Sequence, residues 1–183
     1  MKKFAVLVVV AAWAPAPLIA EVSDAASHGF TVVNEVVIAA PRAEVWRAAV
    51  AEVGHWWSSD HTVGGDALRL RIDPVPLGCF CEDLRVGAGV AHLTVTMVNP
   101  GVVIRMTGGL GPLGLMGVQG NMTWEFDDAE AGGTIVRFTY VVGGYRPGGL
   151  DEMAAPVDFV IGEALARLKQ YAQTGSPEVE DVG

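Results

Sequence analysis

The chain has 183 residues, of which 51% are hydrophobic, and a formal net charge of -9. This length suits one domain and this apolar fraction fills one core, which excludes intrinsic disorder and small disulfide-stabilised scaffolds. The acidic balance repels phosphate backbones and anionic lipid surfaces, so it disfavours nucleic-acid and peripheral membrane binding. The 23 glycines and 10 prolines indicate many turns, as expected of a β-rich domain.

The first 25 residues have the pattern of a secretory signal peptide. Two lysines precede an apolar run over residues 4–20, and small residues follow. The run contains two prolines and is shorter than the ~20 apolar residues of a membrane span, which disfavours an uncleaved anchor. Cleavage is predicted after Ala25, with Ala20 as the poorer alternative. The mature chain is therefore expected to be a periplasmic or secreted bacterial protein with no stable membrane anchor.

The rest of the chain alternates between strand and helix patterns. Residues 30–38 predict a first strand, and a helix is predicted from Pro41, with Gly54 as its C-cap. Further strand candidates, separated by turn residues, are 68–72, 79–85, 90–98, 102–107, 121–126 and 134–142. Residues 155–173 then place apolar side chains at helical spacing, with Glu163 and Arg167 expected to pair on the outer face.

This order of elements predicts an α+β fold in which a curved antiparallel sheet wraps around the long C-terminal helix. The domain is expected over residues 26–174, followed by an acidic flexible tail over 175–183. Strand alternation gives the sheet one wet face and one aromatic, Met-rich face, and an internal apolar cavity is expected between that face and the helix. The predicted cavity lining is Leu70, Phe80, Met97, Met106, Met122, Trp124, Phe138, Tyr140, Val157 and Ile161.

Two apolar segments without strand or helix periodicity are expected at the cavity entrance. One is the pair Trp56 and Trp57 after the first helix, and the other is the loop 108–120 with Leu110, Leu113 and Met116. Either segment would contact a ligand as it enters. A simple packed connection is the equally weighted alternative for the loop.

Glu82 is the residue with the most informative position. Period two places Glu82 beside Phe80 and Leu84 on an apolar face, where a carboxylate would have a raised pKa and could orient a ligand head or transfer protons. The alternative is a bulged strand that leaves Glu82 solvated. By the same alternation, His92 falls on the polar face and is predicted to be solvated.

The two cysteines, Cys79 and Cys81, lie two residues apart on a predicted strand. Their side chains then share one face about 6.6 Å apart, which favours two buried free thiols over a disulfide. A bulge that permits a redox-active bridge is the alternative. Among the loop side chains, His55, Asp60 and His61 match no zinc-binding spacing, so no metal and no cofactor are expected.

Several stretches together resemble a known family. They include VVIAAPRAEVWRA (36–48), WWSSDHTVGGDA (56–67), GCFCEDL (78–84) and MTWEFDD (122–128). The set is similar to the START-like SRPBCC superfamily, which includes polyketide cyclase/dehydrase-like proteins and relatives of the heat-shock-protein-90 ATPase activator. The resemblance implies a helix-grip fold whose cavity binds lipids, sterols, polyketides or other apolar molecules.

Three functions stay open at this point. The first is non-catalytic binding or carriage of a small apolar molecule, which needs only the cavity and a few polar anchors. The second is a cyclase or dehydrase-type enzyme with Glu82 or Tyr140 as acid or base, although no catalytic constellation is present to assign. A protein-interaction module that uses the loop 108–120 is the third.

Overall fold

The computed structural model describes residues 19–130 and 132–178, in which eight strands and three α-helices form one α+β domain. The strands are β1 Ile19–Ala26, β2 Gly29–Ile38, β3 Leu70–Ile72, β4 Cys79–Arg85, β5 Ala88–Asn99, β6 Val103–Gly108, β7 Gly117–Asp128 and β8 Thr134–Tyr145. The helices are α1 Arg42–Ala51, α2 Val53–Trp56 and α3 Asp151–Thr174. Short 3₁₀ turns span Ser59–His61, Ala67–Arg69 and Gly111–Leu115.

All eight strands belong to one antiparallel sheet in the order β1-β2-β8-β7-β6-β5-β4-β3. The helix α3 packs against β2, β1 and α1, and its inner side buries Ile161, Leu165 and Leu168. The predicted helix-grip fold is therefore confirmed. No helix in the described part of the chain has both the length and the apolar character needed to cross a membrane.

Several predicted boundaries are corrected. The helix α3 begins at Asp151 rather than at residue 155, and Pro156 lies inside it, where the missing N–H removes one bond near the first turns. The helix α1 ends at Ala51, so Gly54 does not cap it and lies within α2 instead. A side-chain carbon at Gly54 would lie 2.8 Å from the carbonyl oxygen of Ala67, so glycine is needed here for close backbone approach.

The predicted signal peptide falls mostly on residues 1–18, which lie outside the described residues. Its last part forms β1, which pairs with β2 at one edge of the sheet. Cleavage after Ala25 would leave only Ala26 of this strand, whereas cleavage after Ala20 would keep most of it. Both sites stay predictions, as does the flexible tail, part of which, 179–183, is also outside the described residues.

Two β-bulges in β5 determine which side chains enter the interior. Phe80 pairs with Leu93 and Cys81 with Ala91, which leaves His92 as an extra residue. Further along, Val95 pairs with Met106 and Met97 with Arg105, so Thr96 is also extra. Each extra residue shifts the alternation of side chains by one position. The first bulge brings His92 inside next to Leu93, and the second turns Met97 outward.

Candidate functional site

A pocket of about 540 Å³ opens between the sheet and the first half of α3. Its walls come from the loop 109–115, the segment 57–63 after α2, the start of β5 and one side of α3. Most of its surface is apolar. The predicted residues that line it are Trp57, Leu110, Leu113, Tyr140, Val157 and Ile161.

Most of the other predicted lining residues belong to a filled core. Trp124 stacks on Phe138 with ring centroids 4.3 Å apart, and Trp56 and Phe80 lie against Trp124. These aromatic rings fill the space beneath the centre of the sheet, so the pocket is displaced toward the loop 109–115. The predicted residues buried in this core without lining the pocket are Trp56, Leu70, Phe80, Met106, Met122, Trp124 and Phe138.

Two further predictions are corrected. Met97 has 43% of its surface exposed and points away from the interior, because the bulge at Thr96 reverses the alternation that placed it inside. Met116 is half-buried and packs against the core from the loop, but it does not line the pocket.

Glu82 is fully buried, as strand alternation predicted, but it does not line the pocket. Its carboxylate accepts hydrogen bonds from the backbone N–H groups of Val63 and Gly64 and from His92 Nε2, at 3.1 Å. Burial by itself would raise the pKa of Glu82, but these backbone bonds and His92 outweigh it and lower that pKa. The predicted raised pKa is therefore wrong, and the carboxylate holds the pocket wall at 63–64.

His92 was predicted to be solvated on the polar face, and this prediction is wrong. It is 6% exposed rather than solvated, it borders the pocket, and its Nε2 meets Glu82. The cause is the bulge in β5, where His92 is the extra residue. The bulge could not be predicted from the residues of β5 alone, because it depends on how β5 pairs with β4.

Tyr140 lines the pocket, but its hydroxyl group is already engaged. The hydroxyl donates to the Gly108 carbonyl oxygen at 2.9 Å and accepts from the Leu110 N–H at 3.0 Å. Burial raises the pKa of Tyr140 to about 12, so the group stays protonated at neutral pH. Tyr140 therefore fixes the start of the loop 109–115.

The segment 57–63, which forms the opposite wall, is fastened to α3 by side chains at its start and in its middle. Arg167 Nε donates to the Trp56 carbonyl oxygen at 2.8 Å, and His61 Nε2 lies 2.9 Å from a carboxylate oxygen of Glu163. The predicted outer pair of Glu163 and Arg167 is thus replaced by contacts of each residue with this segment. His61 lines the pocket as well, and Asp60 stands beside it. His55 instead stacks on Tyr171.

The cysteines and the potential metal ligands were also considered as site residues in the sequence, and the structure shows how they are arranged. In residues 19–130 and 132–178 no group of three His, Cys, Asp or Glu side chains is arranged to hold a metal ion. Cys79 and Cys81 form a disulfide, with Cα atoms 5.4 Å apart. Because this distance is shorter than the about 6.6 Å of a regular strand, the bond can close, and the favoured expectation of two free thiols is corrected.

Additional lining residues were not identified from the sequence. Val63, Val90, Met153 and Val160 supply apolar surface, and Thr62 adds a hydroxyl that donates to the Ser59 carbonyl oxygen. Helical spacing was a usable signal for two of them, since Val160 belongs to the predicted apolar stripe of α3 and Met153 continues that stripe by one turn. The position of Val63 had no such signal, because its backbone N–H is held by Glu82, which is distant in sequence.

The fold and the pocket together define a helix-grip protein with an apolar pocket between sheet and C-terminal helix. Residues 29–173 match the family of polyketide cyclase/dehydrase and lipid transport proteins, and the chain belongs to this family. The predicted SRPBCC-like relationship is therefore confirmed. No protein of curated function matches the chain at a significant level.

Solved structures with the same fold have low sequence identity. A conserved protein of unknown function from Enterococcus faecalis, EF2215, is 15% identical with a TM-score of 0.57, covering 90% of this chain and 82% of that one. CalU16 from Micromonospora echinospora is 14% identical with a TM-score of 0.52, covering 88% and 86%. Ara h 8.0201 is 15% identical with a TM-score of 0.54, covering 79% and 97%. These similarities establish the fold alone.

Proposed function

We propose that this protein binds a small hydrophobic molecule in the pocket between β5, the loop 109–115 and α3. The observation that carries the proposal is a pocket of about 540 Å³ with mostly apolar walls and a few polar side chains. Pockets for small molecules typically measure about 300–1,000 Å³ and have this composition. The walls are also held in place, by Glu82 on one side and Tyr140 on the other, so little ordering opposes binding.

Filling the pocket tests this proposal. Val160 lines it from α3, whereas Val141 lies on the opposite face of β8 and is largely exposed. With the neutral fluorophore N-phenyl-1-naphthylamine as probe, Val160→Trp is expected to weaken binding at least about 10-fold, and Val141→Trp is expected to leave it unchanged. Equal affinities of the wild type and Val160→Trp, with both chains folded by circular dichroism, would contradict the proposed site.

Acid–base catalysis on an apolar substrate is the second candidate function. Neither predicted catalytic residue suits it, because the Glu82 carboxylate does not reach the pocket and the Tyr140 hydroxyl is engaged. The favourable observation is His92, a histidine that borders the pocket and is oriented by a carboxylate. Product analysis after incubation with candidate polyketide-like substrates, in the wild type and in His92→Phe, would reveal such an activity.

Export from the cytoplasm is proposed as well. The N-terminal pattern supports it, and the Cys79–Cys81 disulfide fits an oxidising compartment. N-terminal sequencing of the protein recovered from a periplasmic extract or culture medium tests the cleavage. A protein that begins at Met1 in the cytoplasmic fraction would contradict it.

A further inference from the structure

Two histidines border the pocket, and each meets a carboxylate through Nε2. His61 and its partner Glu163 are both partly exposed, with 26% and 32% of their side chains accessible. His92 and its partner Glu82 are buried, with 5% and 0% accessible. Water therefore competes with hydrogen bonds at His61 much more than at His92, and a ligand gains more from a polar contact with His92.

The surroundings of Glu82 determine which nitrogen of His92 carries hydrogen. One carboxylate oxygen faces the Gly64 N–H, and the other faces the Val63 N–H and His92 Nε2. These bonds lower the pKa of Glu82, so the group is an ionised carboxylate, which only accepts hydrogen bonds. Nε2 must then donate. In the neutral imidazole the other nitrogen, Nδ1, is left with a free lone pair.

In the neutral imidazole, this lone pair is the hydrogen-bond acceptor that His92 offers to a ligand. Across the described residues no hydrogen bond to His92 Nδ1 is formed, and Nδ1 is not among the buried polar atoms sealed from solvent. The space that the side chain borders is the pocket. Among the other polar side chains of the lining, Tyr140 has its hydroxyl engaged, and Asp60, His61 and Thr62 are partly or fully exposed.

We propose that the pocket selects hydrophobic molecules that carry a hydroxyl group, and that His92 Nδ1 accepts the hydrogen bond from this hydroxyl. Phenols and enols fit best, because their hydroxyl groups are stronger donors than those of simple alcohols. Glu82 is the positioning residue, since it fixes the tautomer that leaves Nδ1 free to accept. This inference rests on the proposed function, because it names the class of ligand for the same pocket.

Two probes of nearly equal shape test the inference. 2-Naphthol has a hydroxyl donor, and 2-methoxynaphthalene has a methyl ether in its place. Wild-type protein is expected to bind 2-naphthol about 3- to 10-fold more tightly, the range of one net hydrogen bond. His92→Phe is expected to bind both probes equally. The matched control His61→Phe is expected to keep the preference, because the water-exposed His61 contributes little.

Glu82→Gln separates a positioning role from a merely structural one. A structural role would weaken both probes by the same factor, through loss of the wall at 63–64. The positioning role predicts that the ratio of the affinities for 2-naphthol and 2-methoxynaphthalene also falls toward one. The neutral amide of Gln can donate to Nε2, so hydrogen can move to Nδ1, which then no longer accepts. If this variant does not fold, long-range ¹H–¹⁵N NMR of the wild type replaces it. Nε2 should be protonated and Nδ1 unprotonated in that spectrum.

The outcomes distinguish the inference from the function on which it rests. Equal binding of the two probes by wild type, or a preference that survives in His92→Phe, would overturn the role of His92 but leave the pocket as a binding site. A spectrum with hydrogen on Nδ1 would overturn the tautomer argument. If N-phenyl-1-naphthylamine binds and neither naphthalene probe does, the hydroxyl ligand class is wrong. If none of the three probes binds, the proposed function fails too.

Discussion

Replacement of Tyr140 by Phe tests whether one buried hydroxyl fixes the loop that closes the pocket. The substitution keeps the ring in the core and removes both hydrogen bonds, to the Gly108 carbonyl and from the Leu110 N–H. An unsatisfied buried polar group costs about 1–3 kcal/mol, and these two groups are only partly buried. We therefore expect the free energy of unfolding at neutral pH to fall by about 2 kcal/mol.

The pH dependence of stability gives an independent test of the burial of the same hydroxyl group, because burial raises its pKa although the Leu110 N–H bond lowers it. Burial raises the pKa of Tyr140 from 10 in the unfolded chain to about 12 in the folded chain, so the folded state holds this proton more tightly. The resulting stability is complete below pH 10 and is lost as the pH rises toward 12. Near pH 11 the free energy of unfolding of the wild type should have fallen by about 1.4 kcal/mol through this ionisation. Tyr140→Phe has no such group, so the stability difference between the two proteins should be smaller than at neutral pH.

Urea unfolding at neutral pH and near pH 11, followed by far-ultraviolet circular dichroism, measures both effects. Tyr145→Phe is the matched control, because Tyr145 is exposed and should change stability by less than about 0.5 kcal/mol. Amide hydrogen exchange in the loop 109–115 should also accelerate in Tyr140→Phe and not in the control. A stability difference that is absent, or one that stays the same at both pH values, would refute the argument.

Two further predictions concern the bulged strand and the cysteines. With the observed register of the second bulge, Met106 is buried and Met97 is exposed. In urea titrations Met106→Ala should therefore lower the free energy of unfolding by about 2–5 kcal/mol, and Met97→Ala by less than about 1 kcal/mol. Similar losses in the two variants would contradict the register. Intact mass with and without reduction should show one disulfide, between Cys79 and Cys81. The double variant Cys79→Ser/Cys81→Ser should be less stable than the oxidised wild type by about 1–2 kcal/mol. Two alkylatable thiols in the unreduced protein would disprove the bond.

Hydrophobic patterning was enough to predict the main elements of this fold. Strand β4 was predicted with its observed bounds, and β7 and β8 were predicted with the right buried parity, because apolar and aromatic residues alternate with polar residues along most of their length. The long apolar stripe of α3 made the covering helix equally clear. These features depend on residues close together in sequence, which is why they can be predicted from one chain.

The site was harder to predict because its geometry comes from pairing between distant segments. The two bulges in β5 follow from the register against β4 and β6, and no local residue pattern marks His92 or Thr96 as extra. The inward strand residues were expected to line the cavity, but Trp124 stacks on Phe138 and these rings fill the space that it would occupy. Strand alternation predicts that an aromatic side chain points inward, but it does not tell whether that side chain lines a cavity or packs in a filled core.

Glu82 shows how a correct prediction of burial can lead to a wrong function. Alternation placed the carboxylate inside, and a buried carboxylate needs donors. The donors turned out to be two backbone N–H groups of the pocket wall and a histidine, so the cost of burial is met within the protein and no ligand is needed to offset it. The hydrogen-bonding atom that has no partner among the described residues is Nδ1 of His92, which borders the pocket, whereas Glu82 does not. In the proposed binding mode, the preference for a hydroxyl group therefore depends on Glu82, a carboxylate that does not line the pocket.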